Sequence, residues 1–136
     1  MNLRTKGFTL IEIMLVVIII GVLAAMVIPN IAGKGNEAKL TAARTDIDSN
    51  LAAVLDLYQV DVGRYPTTEQ GLGALMTQPS GLSNWKGPYL KRKKMPKDPW
   101  GKEYVYVSPG VHNKEDYDLS SLGPDQVESS DDITNW

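Results

Sequence analysis

The hydrophobic positions change their pattern twice along the chain. From Phe8 to Ile28 the residues are apolar with little interruption, Thr9 and Glu12 being the polar side chains. From Ile13 to Ile28 none is charged. A helix needs about 20 apolar residues to cross the hydrocarbon core of a bilayer, so residues 8–28 are expected to span a membrane. Arg4 and Lys6 lie just before the run. Basic residues stay on the cytoplasmic side, which predicts a cytoplasmic N-terminus and an exported C-terminal part. A cleaved secretory signal fits less well. Its apolar region is about 7–15 residues long and ends in small residues, whereas here "LAAM" lies inside the run. A plain signal anchor accounts for neither the Gly7–Phe8 junction nor Glu12, an acid placed where an unpaired carboxylate is expensive.

Beyond Pro29 the pattern becomes periodic. Proline removes a backbone donor and clashes with the preceding turn, so either a kink or locally melted helix, eased by Gly33 and Gly35, or a simple helix end is expected there. Leu40, Ala43, Ile47, Leu51, Val54, Tyr58 and Val62 then recur at spacings of three and four, with Lys39, Arg44, Asp46, Asp48 and Asp56 between them. That is one apolar stripe on an amphipathic helix within residues 29–62.

The pattern changes again after Gly63. Thr68 is expected to cap a short helix over residues 69–76, with Leu72, Leu75 and Met76 available for packing. Asp98-Pro99-Trp100-Gly101 reads as a turn, "KEYVYV" as an alternating strand and "DYDLSSLG" as the next. Two or three antiparallel strands packed on the helical stripe would close a small core. The expected fold is α+β: a long N-terminal helix on a small antiparallel sheet, followed by a C-terminal loop.

Composition narrows the chemistry. The chain has 136 residues, enough for one modest domain, and a formal net charge of -2, which gives no reason to expect a nucleic-acid partner. It has no cysteine, which excludes disulfides, thiolate metal sites and cysteine nucleophiles. Lys91, Arg92, Lys93 and Lys94, with Lys97 close by, form a short basic run that reads as a solvated face. His112 is a lone histidine in a loop-like stretch, without visible partners. There is no Gly-rich phosphate loop and no hydrolase serine motif, so no enzyme is expected. The tail "LGPDQVESSDDITNW" gathers Asp125, Glu128, Asp131 and Asp132. Either it is a solvated tail, or these hard oxygen donors hold a cation such as calcium. Their spacing is not that of an EF-hand.

The stretch "KGFTLIEIMLVVIIIGVLAAMVIPN" closely resembles the N-terminus of the type IV pilin and pseudopilin superfamily. The resemblance implies a leader of residues 1–7, cut between Gly7 and Phe8 by a membrane-embedded prepilin peptidase that then methylates the Phe8 amine. Gly7, lacking a side chain, lets a protease approach the backbone. In a fibre, Glu12 would face the Phe8 amine of a neighbouring subunit; a pair with its own Phe8 amine is the alternative. The resemblance also implies unwinding near Pro29 and makes Phe8, Glu12 and Pro29 assembly residues.

Further motifs follow in order: "YPTTEQGLGALM", "GPYLKR", "MPKDPWGKEYVY", "SSLGPD" and "DDITNW". They are similar to the major pseudopilins of the type II secretion system, the general secretion pathway protein G family, over nearly the whole chain. This implies a structural subunit with a transmembrane and polymerisation helix at 8–28, an amphipathic helix at 29–62 and a globular part at 63–136. Such a subunit waits in the bacterial inner membrane and polymerises into a helical periplasmic fibre that helps export folded proteins across the outer membrane. Its implied partners are other copies of itself, minor pseudopilins, the prepilin peptidase and the inner-membrane assembly platform, with energy from a partner ATPase.

The resemblance also implies calcium in the tail. Asp125 and one or both of Asp131 and Asp132 would donate carboxylates, and Leu122, Val127 and Ser130 backbone carbonyls. The spacing from Asp125 to the acidic pair is about one residue shorter than is usual, which leaves the choice between Asp131 and Asp132 open. The alternatives are a type IV pilin of a surface pilus, disfavoured by the missing cysteines, and a signal-anchored periplasmic binding module or enzyme.

Overall fold

The computed structural model describes residues 7–91 and 94–136, and within the first helix the side chains of all but residues 27–34. Arg4, Lys6, Arg92 and Lys93 therefore lie outside the described residues. The chain divides into two compact units, Met1–Glu37 and Ala38–Trp136.

Helix α1 runs over Leu10–Thr45. Its start is fixed by a reciprocal cap. The Thr9 amide donates to Glu12 Oε2 at 3.4 Å, and the Glu12 amide donates to Thr9 Oγ1 at 3.3 Å. Thr-x-x-Glu is the capping-box sequence, in which two amides that have no partner inside the helix are satisfied by side chains. From Leu10 to Met26 the apolar side chains are exposed all round the helix, between 45% and 80% for the large ones. Among the described residues no helix is long and apolar enough to cross a membrane; Val27 and Ile28, which end the expected span, are not among the described side chains.

The expected melting at Pro29 is not seen, because α1 is helical through that position. A proline inside a helix removes one amide donor and crowds one carbonyl. The turns on either side keep their own hydrogen bonds, so the helix continues.

After α1 the helix widens into a π-helical turn, Asp46–Leu51, and narrows again into α2, Ala52–Val62. The reason lies in the core stripe. Ala43, Ile47, Leu51 and Leu55 are buried at steps of four. In a regular α-helix each step of four overshoots a full turn by about 40°, so three steps would carry the stripe about 120° round. The wider π turn absorbs the drift. It also corrects the expected stripe: Leu55 is fully buried where Val54 was expected, Val54 is only partly buried, and Leu40 is exposed. Asp46 braces the wide turn. One carboxylate oxygen accepts Asn50 Nδ2 at 2.7 Å and the other accepts Tyr104 Oη at 2.9 Å. Gly63 ends α2 in the left-handed conformation, φ 84°, which an L side chain adopts only with strain.

The short helix after α2 is a 3-10 turn, Gly71–Leu75, burying Leu72, Ala74 and Leu75. Its N-cap is Gln70, without a side-chain cap bond, and the expected cap by Thr68 is not formed; the turn leading into it is closed by Thr67 instead. Thr67 and Gln70 form a second reciprocal box, amide to Oε1 at 3.0 Å and amide to Oγ1 at 3.3 Å. The Thr68 hydroxyl instead pairs with the backbone of Ser108.

The sheet is antiparallel, ordered β1-β2-β3, with β1 at Val105–Val107, β2 at Asp118–Ser121 and β3 at Ile133–Thr134. Tyr106 pairs with Leu119 and Ser121 with Ile133. Period-two alternation turns Tyr104 and Tyr106 to the core and leaves Val105 exposed. Tyr106 Oη donates to the Pro66 carbonyl at 2.8 Å. Burial, the largest influence, pushes the Tyr117 phenol up to about 12, with Asp56 and Asp116 adding to it.

His112 is not partnerless. Its Nδ1 lies 3.2 Å from Asp118 Oδ2, and its ring stacks flat on Trp136, centroids 4.2 Å apart at 4°. The Asp118 carboxylate also accepts the amides of Val111, His112 and Asn113 at 2.7, 2.9 and 2.9 Å. Burial pushes this carboxyl up, but the amides of His112, Asn113 and Val111 and the imidazole outweigh it and hold it below the ordinary carboxylate value. Gly110 allows the close approach, since a Cβ there would sit 2.5 Å from Asp118 Oδ1.

Two predictions follow from the packing. Leu55→Ala should destabilise the full-length protein in detergent by about 2–5 kcal/mol in urea unfolding, the cost of an emptied core site. Val54→Ala should cost clearly less; the reverse order would contradict the re-phased stripe. Because its folded pKa is depressed, Asp118 contributes stability that is present above the unfolded value of about 3.9 and is lost as pH falls through the folded one. Asp118→Asn should therefore be less stable than the unaltered protein at neutral pH by about 1.5–3 kcal/mol. The gap should close on acidification below about pH 4; urea midpoints across that range measure it, and a gap that stays constant would exclude this role.

Candidate functional site

The expected site residues fall into two groups. At the N-terminus, Gly7 has open space where a Cβ would stand, and Phe8 is 77% exposed. Glu12 sits in the first helical turn and already has a role there, closing the capping box on Thr9. The sequence signal for this was Thr9 three residues before Glu12, overshadowed by the oddity of an acid in an apolar run. Pro29 is helical in its backbone, and its side chain is not among those described.

The second group is the C-terminal loop between β2 and β3. It is anchored to the Asp98–Gly101 turn by hydrogen bonds. The buried Asp98 carboxylate accepts the amides of Trp100 and Lys102 on one oxygen, at 3.1 and 2.8 Å, and the Ser121 hydroxyl on the other, at 2.7 Å. The Gly123 amide donates back to Ser121 Oγ at 3.3 Å. Gly123 has φ 66°, and a Cβ on it would lie 3.0 Å from the Asp131 carbonyl, so a glycine is required where the loop folds back on itself.

Within the loop the expected ligands partly converge. Ser129 Oγ lies 3.1 Å from Asp125 Oδ2 and also touches Asp131 Oδ1. One hydroxyl has one proton and can donate to only one of these carboxylates. Asp132 accepts the Ser129 amide at 3.3 Å. The Val127 amide donates to Asp125 Oδ1 at 3.1 Å, and Val127 is exposed. Leu122 lies at the loop's start, and Ser130 lines a groove of about 450 Å³ together with Leu40, Arg44, Asp131 and Asp132. Among the described residues no group of three or more His, Asp or Glu side chains is placed to hold a metal ion. The donors nevertheless suit a hard cation: they are all oxygen, and two of the carboxylates point at one site with a single proton between them.

Comparison with known proteins places the chain in a family. Residues 30–136 match the family described as "Type II secretion system (T2SS), protein G", and residues 2–28 match the "Prokaryotic N-terminal methylation motif". The chain is 47% identical to the type II secretion system core protein G of Klebsiella pneumoniae over 138 residues, covering 98% of this chain and 95% of that protein. It is 49% identical to the core protein G of Pseudomonas aeruginosa, covering 98% and 96%. A crystal structure of the major pseudopilin from the type 2 secretion system of enterohaemorrhagic Escherichia coli superposes with a TM-score of 0.66 at 38% identity, over 76% of this chain and 87% of that one. The long helix on a three-stranded antiparallel sheet is thus a pilin-like α+β fold, and the chain belongs to the protein G family of the type II secretion system.

Proposed function

We propose that this protein is the structural subunit of a type II secretion pseudopilus. Cut after Gly7 by a prepilin peptidase and methylated on Phe8, it leaves the inner membrane by polymerising through residues 8–28 into a periplasmic fibre that drives folded proteins through the outer membrane. The observation that carries this reading is the pairing, in one chain, of a methylation motif over residues 2–28 with the protein G family over residues 30–136. The chain does mechanical rather than chemical work, with minor pseudopilins, an assembly platform and an energy-supplying ATPase as partners.

Two residues set the order of events. Cleavage turns the Phe8 amide into a cationic amine four residues before Glu12. Pairing that amine with the Glu12 carboxylate of a neighbouring subunit offsets the cost of burying both charges and fixes the register. Glu12 thus passes from a cap within its own helix to a contact between helices.

Calcium is the proposed stabiliser of the C-terminal loop. The support is the donor set: Asp125 and Asp131 share the Ser129 hydroxyl, which favours Asp131 over Asp132 as the second carboxylate. Carbonyls of Leu122, Val127 and Ser130 would complete the site. Bound, the ion neutralises carboxylates that otherwise repel one another.

Three outcomes are expected. Gly7→Val should accumulate as uncut precursor, whereas mass spectrometry of the unaltered protein should show a chain starting at Phe8 with one added methyl. Normal maturation of the variant would refute the processing site. Glu12→Ala should insert in the membrane but fail to assemble, since breaking a buried charge pair costs about 3–5 kcal/mol. Glu12→Gln separates the two roles, because glutamine can still close a capping box but carries no charge. Fibres from Glu12→Gln in normal abundance, counted by electron microscopy, would reduce Glu12 to a helix cap. Finally, the full-length protein in detergent should melt at a higher temperature with millimolar calcium than with a chelator. The stabilisation is about 2.7 kcal/mol when calcium is at 100 times Kd. Asp125→Ala should abolish the response, Asp131→Ala should weaken it more than Asp132→Ala, and magnesium should substitute poorly. An unchanged melting temperature would remove calcium from the reading.

A further inference from the structure

The Asp98–Gly101 turn and the acidic loop grip each other at two places. The buried grip is the Asp98–Ser121–Gly123 chain of hydrogen bonds. The second lies at the surface. Lys102 Nζ donates to the Gln126 carbonyl at 2.6 Å, and Gln126 Nε2 donates to the Trp100 carbonyl at 3.4 Å. Gln126 is the non-glycine residue with positive φ among those described, at 60°. An L side chain is disfavoured in that region and persists there when its surroundings over-determine it. Here the carbonyl is held by Lys102 and the side chain by Trp100, so the unfavourable turn is fastened to one neighbouring strand of chain from both ends.

Charge gives the surface grip a second meaning. Between Gly123 and Asp132 the loop carries Asp125, Glu128, Asp131 and Asp132 and no basic residue. Among the described residues the ion pairs are Lys86 with Asp61 and His112 with Asp118, so none of the loop's acids is in one. Arg44 lines the groove beside Asp131 and Asp132. Lys102 is the cation bonded to the loop itself.

We propose that Lys102 is a built-in counter-cation of the acidic loop: by holding the Gln126 carbonyl it keeps residues 123–132 folded before any metal ion arrives. The ion is then a second fastening, a point that rests on the calcium reading, whereas the role of Lys102 in the metal-free protein does not. Lys102 is a positioning residue and needs no contact with the ion.

Hydrogen–deuterium exchange of the full-length protein in detergent tests this, comparing the unaltered chain with Lys102→Met and Lys102→Arg, each in chelator and in millimolar calcium. In chelator, Lys102→Met should speed exchange in peptides covering residues 123–132 by roughly two- to ten-fold, the factor that one such hydrogen bond converts to. Peptides from α2 should be unchanged, and Lys102→Arg, which keeps a donor and the charge, should remain near the unaltered rate. Calcium should shrink the difference. Loop exchange unaffected by Lys102→Met in chelator, or a rise shared equally by α2 and the sheet, would overturn the proposal. If calcium fails to slow loop exchange in the unaltered protein, the second-fastening claim falls with the calcium reading, and the chelator comparison still decides the role of Lys102.

Discussion

The structure depends on covering one apolar helical stripe with very little sheet. The three strands are three, four and two residues long. A sheet that small cannot bury Ile47, Leu51 and Leu55 with short aliphatic side chains. Tyrosine solves the problem, because it brings a large apolar body and a polar tip. Tyr104, Tyr106 and Tyr117 come from the sheet region and Tyr58 from α2, all of them buried. Tyr104 and Tyr106 reach hydrogen-bond acceptors across the core, whereas Tyr58 Oη is buried without one among the described residues. The π turn belongs to the same solution, since it keeps successive helical residues aimed at this aromatic surface. Asp46, bonded to Tyr104, joins the turn to what it serves.

Much of this was legible in the sequence, and the failures have physical causes. The Asp98–Gly101 turn, the strand around Tyr104–Tyr106 and the strand ending at Ser121 follow from turn chemistry and alternation, and both were visible. The helical stripe was visible too, but its phase was not. A count at three and four chooses Val54, because it assumes a constant 3.6 residues per turn, and the π turn breaks that assumption to place Leu55. Thr68 was expected to do what Thr67 does in the turn before the short helix, because the two are chemically alike and the decisive bond of Thr68, to Ser108, is forty residues away in sequence. His112 looked alone for the same reason: Asp118 lies six residues on and Trp136 much further. In the loop the acidic residues were evident, but Ser129, which Asp125 and Asp131 share, carried no signal of its own.

The N-terminal part follows a different logic. A helix that is apolar all round belongs in apolar surroundings, and among the described residues the large apolar side chains of Leu10–Met26 are exposed. Against that background Glu12 is the one polar decision. Within a single chain it can close the cap on Thr9, so the carboxylate has a use before assembly. Under the proposed pairing, the same carboxylate would be satisfied in the unassembled subunit and again in the polymer.

The position of β3 has a consequence for how such a subunit avoids the wrong company. Strand β2 is buried along its whole length, Asp118–Ser121, with β1 on one side and Ile133–Thr134 on the other. Those last two residues are supplied by the segment that leaves the acidic loop. If the loop opened, β2 would become a bare sheet edge, a template on which any extended chain can add a strand. A subunit of a pilus-like polymer has particular reason to close this second, indiscriminate route. The acidic loop is thus the tether of a guard strand: while it is ordered, Ile133 and Thr134 keep that edge of β2 covered.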